Sequence, residues 1–117
     1  MSATYHKTHV GSVAVVELLH TEIRQPAEAA DLGEELLSLL SGGDSAILLD
    51  CHRVLYMAST GFAVLLSFAK AVKAQGGEVR IAAMHPDVRV GADILRLGQV
   101  IPIHDDRQSA LSAFAAA

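Results

Sequence analysis

One cysteine, Cys51, stands in the whole chain, so no disulfide can form within it, and a reducing, cytoplasmic setting is expected. Cations are scarce as well: nine Lys and Arg against thirteen Asp and Glu leave a formal charge of -4. Without a basic stripe to displace phosphate counterions, nucleic acid is not an expected partner. Apolar runs are short and interrupted, well below the ~20 residues that cross a bilayer. Residues 1–9 also lack the apolar stretch of a signal peptide. A soluble chain without direct membrane insertion is the expectation.

Several chemical signatures are missing too. There is no Gly-rich phosphate loop ending in Lys-Ser or Lys-Thr, and no G-x-S-x-G elbow surrounds a serine. The six histidines, at 6, 9, 20, 52, 85 and 104, are scattered, and none makes a recognisable ligand pair with Cys51. No metal site and no cofactor are therefore expected. His52 adjoins Cys51, but adjacent strand residues point to opposite faces, which argues against joint thiol chemistry. Internal repeats and linkers are absent, as are low-complexity segments apart from Ala115 to Ala117. What remains is 117 residues of which 51% are hydrophobic, enough for one domain, residues 1–117, around one packed core.

The pattern along the chain alternates. Two β-rich segments, 4–10 and 13–19, flank Gly11-Ser12 and predict an antiparallel pair. Pro26 suits a first helical position, and Leu32, Leu36, Leu39 and Leu40 then form an apolar stripe that Gly42-Gly43 ends. "SAILLD", residues 45–50, is a continuous apolar run of the kind buried on both faces of a sheet. From Thr60 a helix fits, with Phe62, Leu65, Leu66, Ala69 and Val72 at helical spacing and Gly76-Gly77 as its stop. "EVRIAAM", 78–84, reads as a strand. Pro86 opens a short helix whose apolar positions are Val90, Ile94 and Leu97. "VIPI", 100–103, reads as an edge strand because Pro102 cannot donate to a ladder. Asp105 or Asp106 caps a last helix carrying Ala110, Leu111 and Phe114. The order β-β-α-β-α-β-α-β-α predicts an α/β fold, a mostly parallel central sheet of about five strands with four helices.

Residues just after a strand lie at the carboxyl edge of such a sheet, where open α/β sheets place their sites. "DCHRVLYMASTG", 50–61, occupies that place. Local propensity makes Ser59 the N-cap of the following helix. The same hydroxyl would also suit a phosphate, since the ester would sit at the positive end of the helix dipole beside unpaired amides. Thr60 is a second acceptor. Gly61, with no Cβ, would let a partner approach the backbone. Asp50 either meets a partner or, as acids at strand ends commonly do, satisfies nearby loop amides.

From "AILLD" through the Ser59-Thr60-Gly61 helix start, Gly76-Gly77, Leu97-Gly98 before "VIPI" and the helix from Asp106 to Phe114, the chain resembles the STAS domain of bacterial anti-sigma factor antagonists. The resemblance implies a partner-switching module that regulates transcription, not an enzyme. In that family an anti-sigma factor with serine kinase activity phosphorylates a serine, a metal-dependent serine phosphatase restores it, and only the unmodified form holds the anti-sigma factor. Ser59 falls on that serine and Thr60 on the hydroxyl residue after it. The family usually has an acid just before the serine, where this chain has Ala58. A preceding loop, usually Gly-Glu-Leu-Asp or close to it, reads Thr21-Glu22-Ile23-Arg24, with Arg24 in place of the acid. The implied partner surface holds Arg24, Asp50, Ala58, Ser59, Thr60 and Gly61, on a monomer or weak homodimer. Two other jobs stay open: a STAS subunit of an ABC-type lipid-transport or stress-signalling complex, and a small α/β enzyme or nucleotide-binding protein with a polar pocket near Asp50 and Ser59.

Overall fold

A computed structural model describes residues 5–116, with side chains as far as Phe114. Thr4, predicted to begin the first strand, lies outside them. Strands β1 (Tyr5–Val10) and β2 (Val13–Leu18) form the antiparallel pair, joined at Gly11, whose φ of 60° suits a residue without a Cβ. The chain continues through β3 (Glu22–Ile23), α1 (Pro26–Leu40), β4 (Ala46–Asp50), β5 (Tyr56–Met57) and α2 (Ser59–Ala74). It ends with β6 (Glu78–Ala82), α3 (Pro86–Ile94), a 3-10 turn at Leu97–Gln99, β7 (Ile103–His104) and α4 (Arg107–Ala116).

The main sheet has the order β1-β2-β4-β6-β7, and every pairing from β2 onward is parallel. Side-chain alternation divides the core. Ala14, Val16, Leu18, Ile47, Leu49, Val79 and Ile81 face the larger layer with α1, α2 and α3. Val13, Val15, Leu48 and Ala82 face the smaller one, covered by Ala110, Leu111 and Phe114 of α4. The continuous run in β4 is thus buried on both faces, as its composition predicts.

Three expectations need correction. The last strand is Ile103–His104 and not residues 100–103, because Val100 closes the 3-10 turn while Pro102 still offers its carbonyl to the Ile81 N–H at 2.9 Å. The buried face of α3 is Val88 and Ala92; Val90 and Ile94 are 59% and 74% exposed. A Cβ on Gly91 would come within 3.0 Å of Phe62, so α3 lies close on α2 through its smallest residues and turns the larger ones outward. The pair β3 and β5, a separate two-stranded parallel sheet, has no counterpart in the predicted order. Each of its strands is two residues long, too short to leave a period-2 signature.

Candidate functional site: the mouth of helix α2

Ser59 is the first residue of α2, and its cap is Ala58. This corrects the expected N-cap by one position. The Ala58 N–H donates to the Ile23 carbonyl at 2.8 Å, which holds residue 58 extended at φ -75° and ψ 165° as a continuation of β5. The helix therefore begins one residue later, and the Ser59 side chain is free. Ser59 and Thr60 are both exposed, and neither hydroxyl makes a hydrogen bond among the described residues. The amides of Gly61 and Phe62 turn back to the Ala58 carbonyl at 2.9 and 3.4 Å, while those of Ser59 and Thr60 find no acceptor among the described residues. No side-chain cap and no acid in the first turn offset the dipole at this end.

Gly61 has a different role from the one predicted. It is buried, and a Cβ there would stand 2.6 Å from Met57 Cγ and 3.1 Å from Ile23 Cγ2. The bare backbone makes room for β3 and β5, not for a partner. By that close approach the first turn of α2 is seated on the small sheet.

Arg24 follows β3 directly. Because Glu22 pairs with Tyr56 and Ile23 with Met57, the next residues in register, Arg24 and Ala58, stand side by side. The Arg24 guanidinium lies over the Tyr56 ring, 4.0 Å from its centroid, and its Nε donates to Glu22 at 3.0 Å. Tyr56 went unnoticed in the sequence, although its position two residues before Ala58 puts it on the same strand face. Glu28 is occupied elsewhere: hydrogen bonds from the Gln25 and Arg24 amides close the capping box of α1 and hold its carboxyl below the usual range. Arg24, Ala58, Ser59, Thr60 and Gly61 thus form one neighbourhood.

Asp50 is not part of it. Its carboxylate, on a side chain 5% exposed, lies on the α4 side of the sheet. One oxygen accepts the His52 N–H at 3.0 Å and meets its Nδ1 at 2.8 Å; the other accepts Arg107 Nε at 3.0 Å and Nη2 at 2.7 Å. The local-satisfaction alternative describes these contacts, with a long-range guanidinium added. Burial pushes this carboxyl up, but the hydrogen bonds from His52 and Arg107 outweigh it and hold the group below its ordinary value of 3.8. A folded-state pKa below the unfolded one gives stability that is complete above the unfolded value and is lost as pH falls through the folded one. Urea midpoints are expected to drop between pH 5 and pH 2, and to drop less in Arg107→Ala; an equal acid response in both proteins would contradict this. Glu17 joins the group, meeting Arg53 Nε at 3.3 Å, His52 Nε2 at 3.6 Å and Arg107 Nη2 at 3.8 Å. Glu17, Asp50 and His52 are the one metal-compatible trio among the described residues, and two guanidinium groups already meet their carboxylates.

Cys51 is fully buried, its thiol pushed up to about 12 by burial and then by the Asp50 charge, whereas His52 points outward. A thiol so held is an inert core residue. Three surface grooves are lined by α1 and α2, by the turn before β4, and by the β1–β2 turn with α4; neither Asp50 nor Ser59 lines any of them. No described helix is long and apolar enough to cross a membrane.

Comparison with known proteins bears on the family. Residues 26–110 match the profile of the STAS domain. BtrV of Bordetella bronchiseptica, which carries the name of an anti-sigma factor antagonist, is 31% identical over 88 residues, 75% of this chain and 76% of that protein. An anti-sigma factor antagonist from Mycobacterium paratuberculosis superposes with a TM-score of 0.82 at 21% identity, over 94% of this chain and 92% of that one. Bacillus SpoIIAA, in its phosphorylated form, gives a TM-score of 0.68 at 16% identity over 94% of this chain and 98% of that one. The two structural likenesses speak to the fold; the profile match and the identity with BtrV carry descent, and on them the chain belongs to the STAS domain family.

Proposed function

We propose that this chain is an anti-sigma factor antagonist, a cytoplasmic binding module that docks an anti-sigma factor over the mouth of α2 and is switched off by phosphorylation of Ser59. One observation carries the reading: the Ser59 hydroxyl is exposed and unbonded at the first residue of a helix whose end has neither a side-chain cap nor an acid. A phosphate there gains the dipole and two free amides, so the modified state is tolerated by the fold. It also adds about -1.5 to -2 charges to a docking face that a partner must desolvate. Membership of the STAS family and the name of BtrV support the choice of partner.

The test uses the protein with ATP and a serine kinase of the anti-sigma factor class from the same organism. One phosphate is expected by intact mass, mapped to Ser59, lost in Ser59→Ala and kept in Thr60→Ala. Incorporation that persists in Ser59→Ala would overturn the assignment. A serine phosphatase is the expected eraser. Independently, Ser59→Asp is expected to weaken binding of the anti-sigma factor by at least about tenfold, because like charge or unpaired charge at an interface costs more than 1.4 kcal/mol. Calorimetry showing unchanged affinity would count against the docking face.

A further inference from the structure

We propose that Asp50 and Arg107 form a latch tying α4 to the loop that leads to Ser59, which makes Arg107 a positioning residue for the phosphoacceptor; this rests on the reading of Ser59 given above. One carboxylate serves two elements. Its Oδ1 takes the backbone N–H and the ring of His52, which anchors the loop between β4 and β5 one residue beyond the Cys51 N–H on the Ala82 carbonyl at 3.0 Å. Its Oδ2 takes two nitrogens of Arg107, the first residue of α4. Asp50 is the only buried charged residue among those described, and its neutralising cation comes from 57 positions along the chain.

The loop leads straight to the switch. Beyond His52 it is held by the Val54 N–H on the Cys51 carbonyl at 3.0 Å and by the Leu55 N–H on the Thr21 carbonyl at 2.7 Å. The Ala58 N–H on Ile23 then sets where α2 begins. The apolar hold of α4 on the sheet comes from Ala110, Leu111 and Phe114 over Val13, Val15, Leu48 and Ala82. Arg107 adds a charged fastening at the first residue of α4, the end that these apolar side chains do not hold. If α4 is drawn away, the guanidinium leaves with it, and a buried carboxylate without its cation takes up water or a proton. Either change weakens its grip on the His52 amide and loosens the loop beyond Cys51, whose own N–H stays on the Ala82 carbonyl. Glu17, which meets Arg53, His52 and Arg107 from β2, keeps the imidazole and guanidinium aligned from the other side. Displacement of α4 would thereby alter how Ser59 is presented, at a site it does not touch.

Hydrogen exchange on the full chain, with Ser59 phosphorylation kinetics by the same kinase, tests the latch. In Arg107→Ala the amides of residues 52–58 are expected to exchange by local opening about tenfold faster, apart from any uniform change in the core. The KM for phosphorylation is expected to rise at little-changed kcat. Arg107→Lys, which keeps the charge but loses the two-point grip, is expected to fall between the two and serves as the variant to read if the alanine protein does not fold. Loosening confined to α4, with 52–58 protected as in the parent, overturns the latch. So does faster exchange at 52–58 with unchanged kinetics. Absence of phosphorylation in the parent protein overturns the Ser59 reading instead, and protection at 52–58 then decides on the latch alone.

Discussion

Arg107→Ala is expected to lower the stability of the protein by about 3 kcal/mol, seen as a fall in the urea midpoint at an unchanged m-value. Removing one partner of a buried ion pair strands the other charge, a loss of about 3–5 kcal/mol when both groups are enclosed. The low end applies here because the Asp50 side chain is 5% exposed but that of Arg107 is 43% exposed. Asp50→Asn is expected to cost less, since the amide oxygen still accepts the His52 N–H and the freed Arg107 can be hydrated. A loss in Arg107→Ala no greater than that of an exposed pair, about 0–1 kcal/mol, would show that the carboxylate reaches water.

The second large effect sets two glycines against each other. Gly61→Ala is expected to destabilise by about 1–2 kcal/mol. Overpacking against Met57 Cγ at 2.6 Å and Ile23 Cγ2 at 3.1 Å costs about 1–3 kcal/mol, while the gain in helix propensity is at most ~1 kcal/mol and smaller in a first turn. Gly33→Ala meets only Val64 at 3.5 and 3.8 Å, ordinary contact, so its propensity gain of about 0.5–1 kcal/mol survives. Opposite signs in thermal or urea unfolding are the result to look for. Because Gly61 seats the first turn of α2 on β3 and β5, its replacement is also expected to weaken partner docking beyond the stability loss. Equal effects of the two substitutions would mean that the small sheet does not press on α2.

Much of the architecture was legible because periodicity survives folding. Leu32, Leu36 and Leu39 of α1, Phe62, Leu65, Ala69 and Val72 of α2 and residues 47–50 of β4 are buried as their spacing predicts, with Leu40 and Leu66 half-buried. Errors arose where tertiary contact overrode a local rule. Ser59 has the propensity of a cap, but the bond from Ala58 to Ile23 moves the helix start past it. Val90 and Ile94 have the right spacing for a core face, yet Val88 and Ala92 do as well, and the close contact at Gly91 selects the smaller set. A glycine after two hydroxyls reads equally as an opening for a partner or as room for a neighbouring strand; only the positions of Met57 and Ile23 separate these. Asp50 and Arg107 are 57 positions apart, and nothing in either local stretch announces the other. At the site, Arg24, Ala58, Ser59 and Thr60 come together, and Asp50 stands apart on the opposite face of the sheet.

Binding of the anti-sigma factor to two preparations, the unmodified protein and the same protein stoichiometrically phosphorylated on Ser59, tests the account at its centre. Titration calorimetry is expected to give a tight complex with the first and a loss of at least about tenfold with the second, with circular dichroism unchanged between them. Equal affinity of the two forms would contradict it, since charge at the first residue of α2 would then have no bearing on docking.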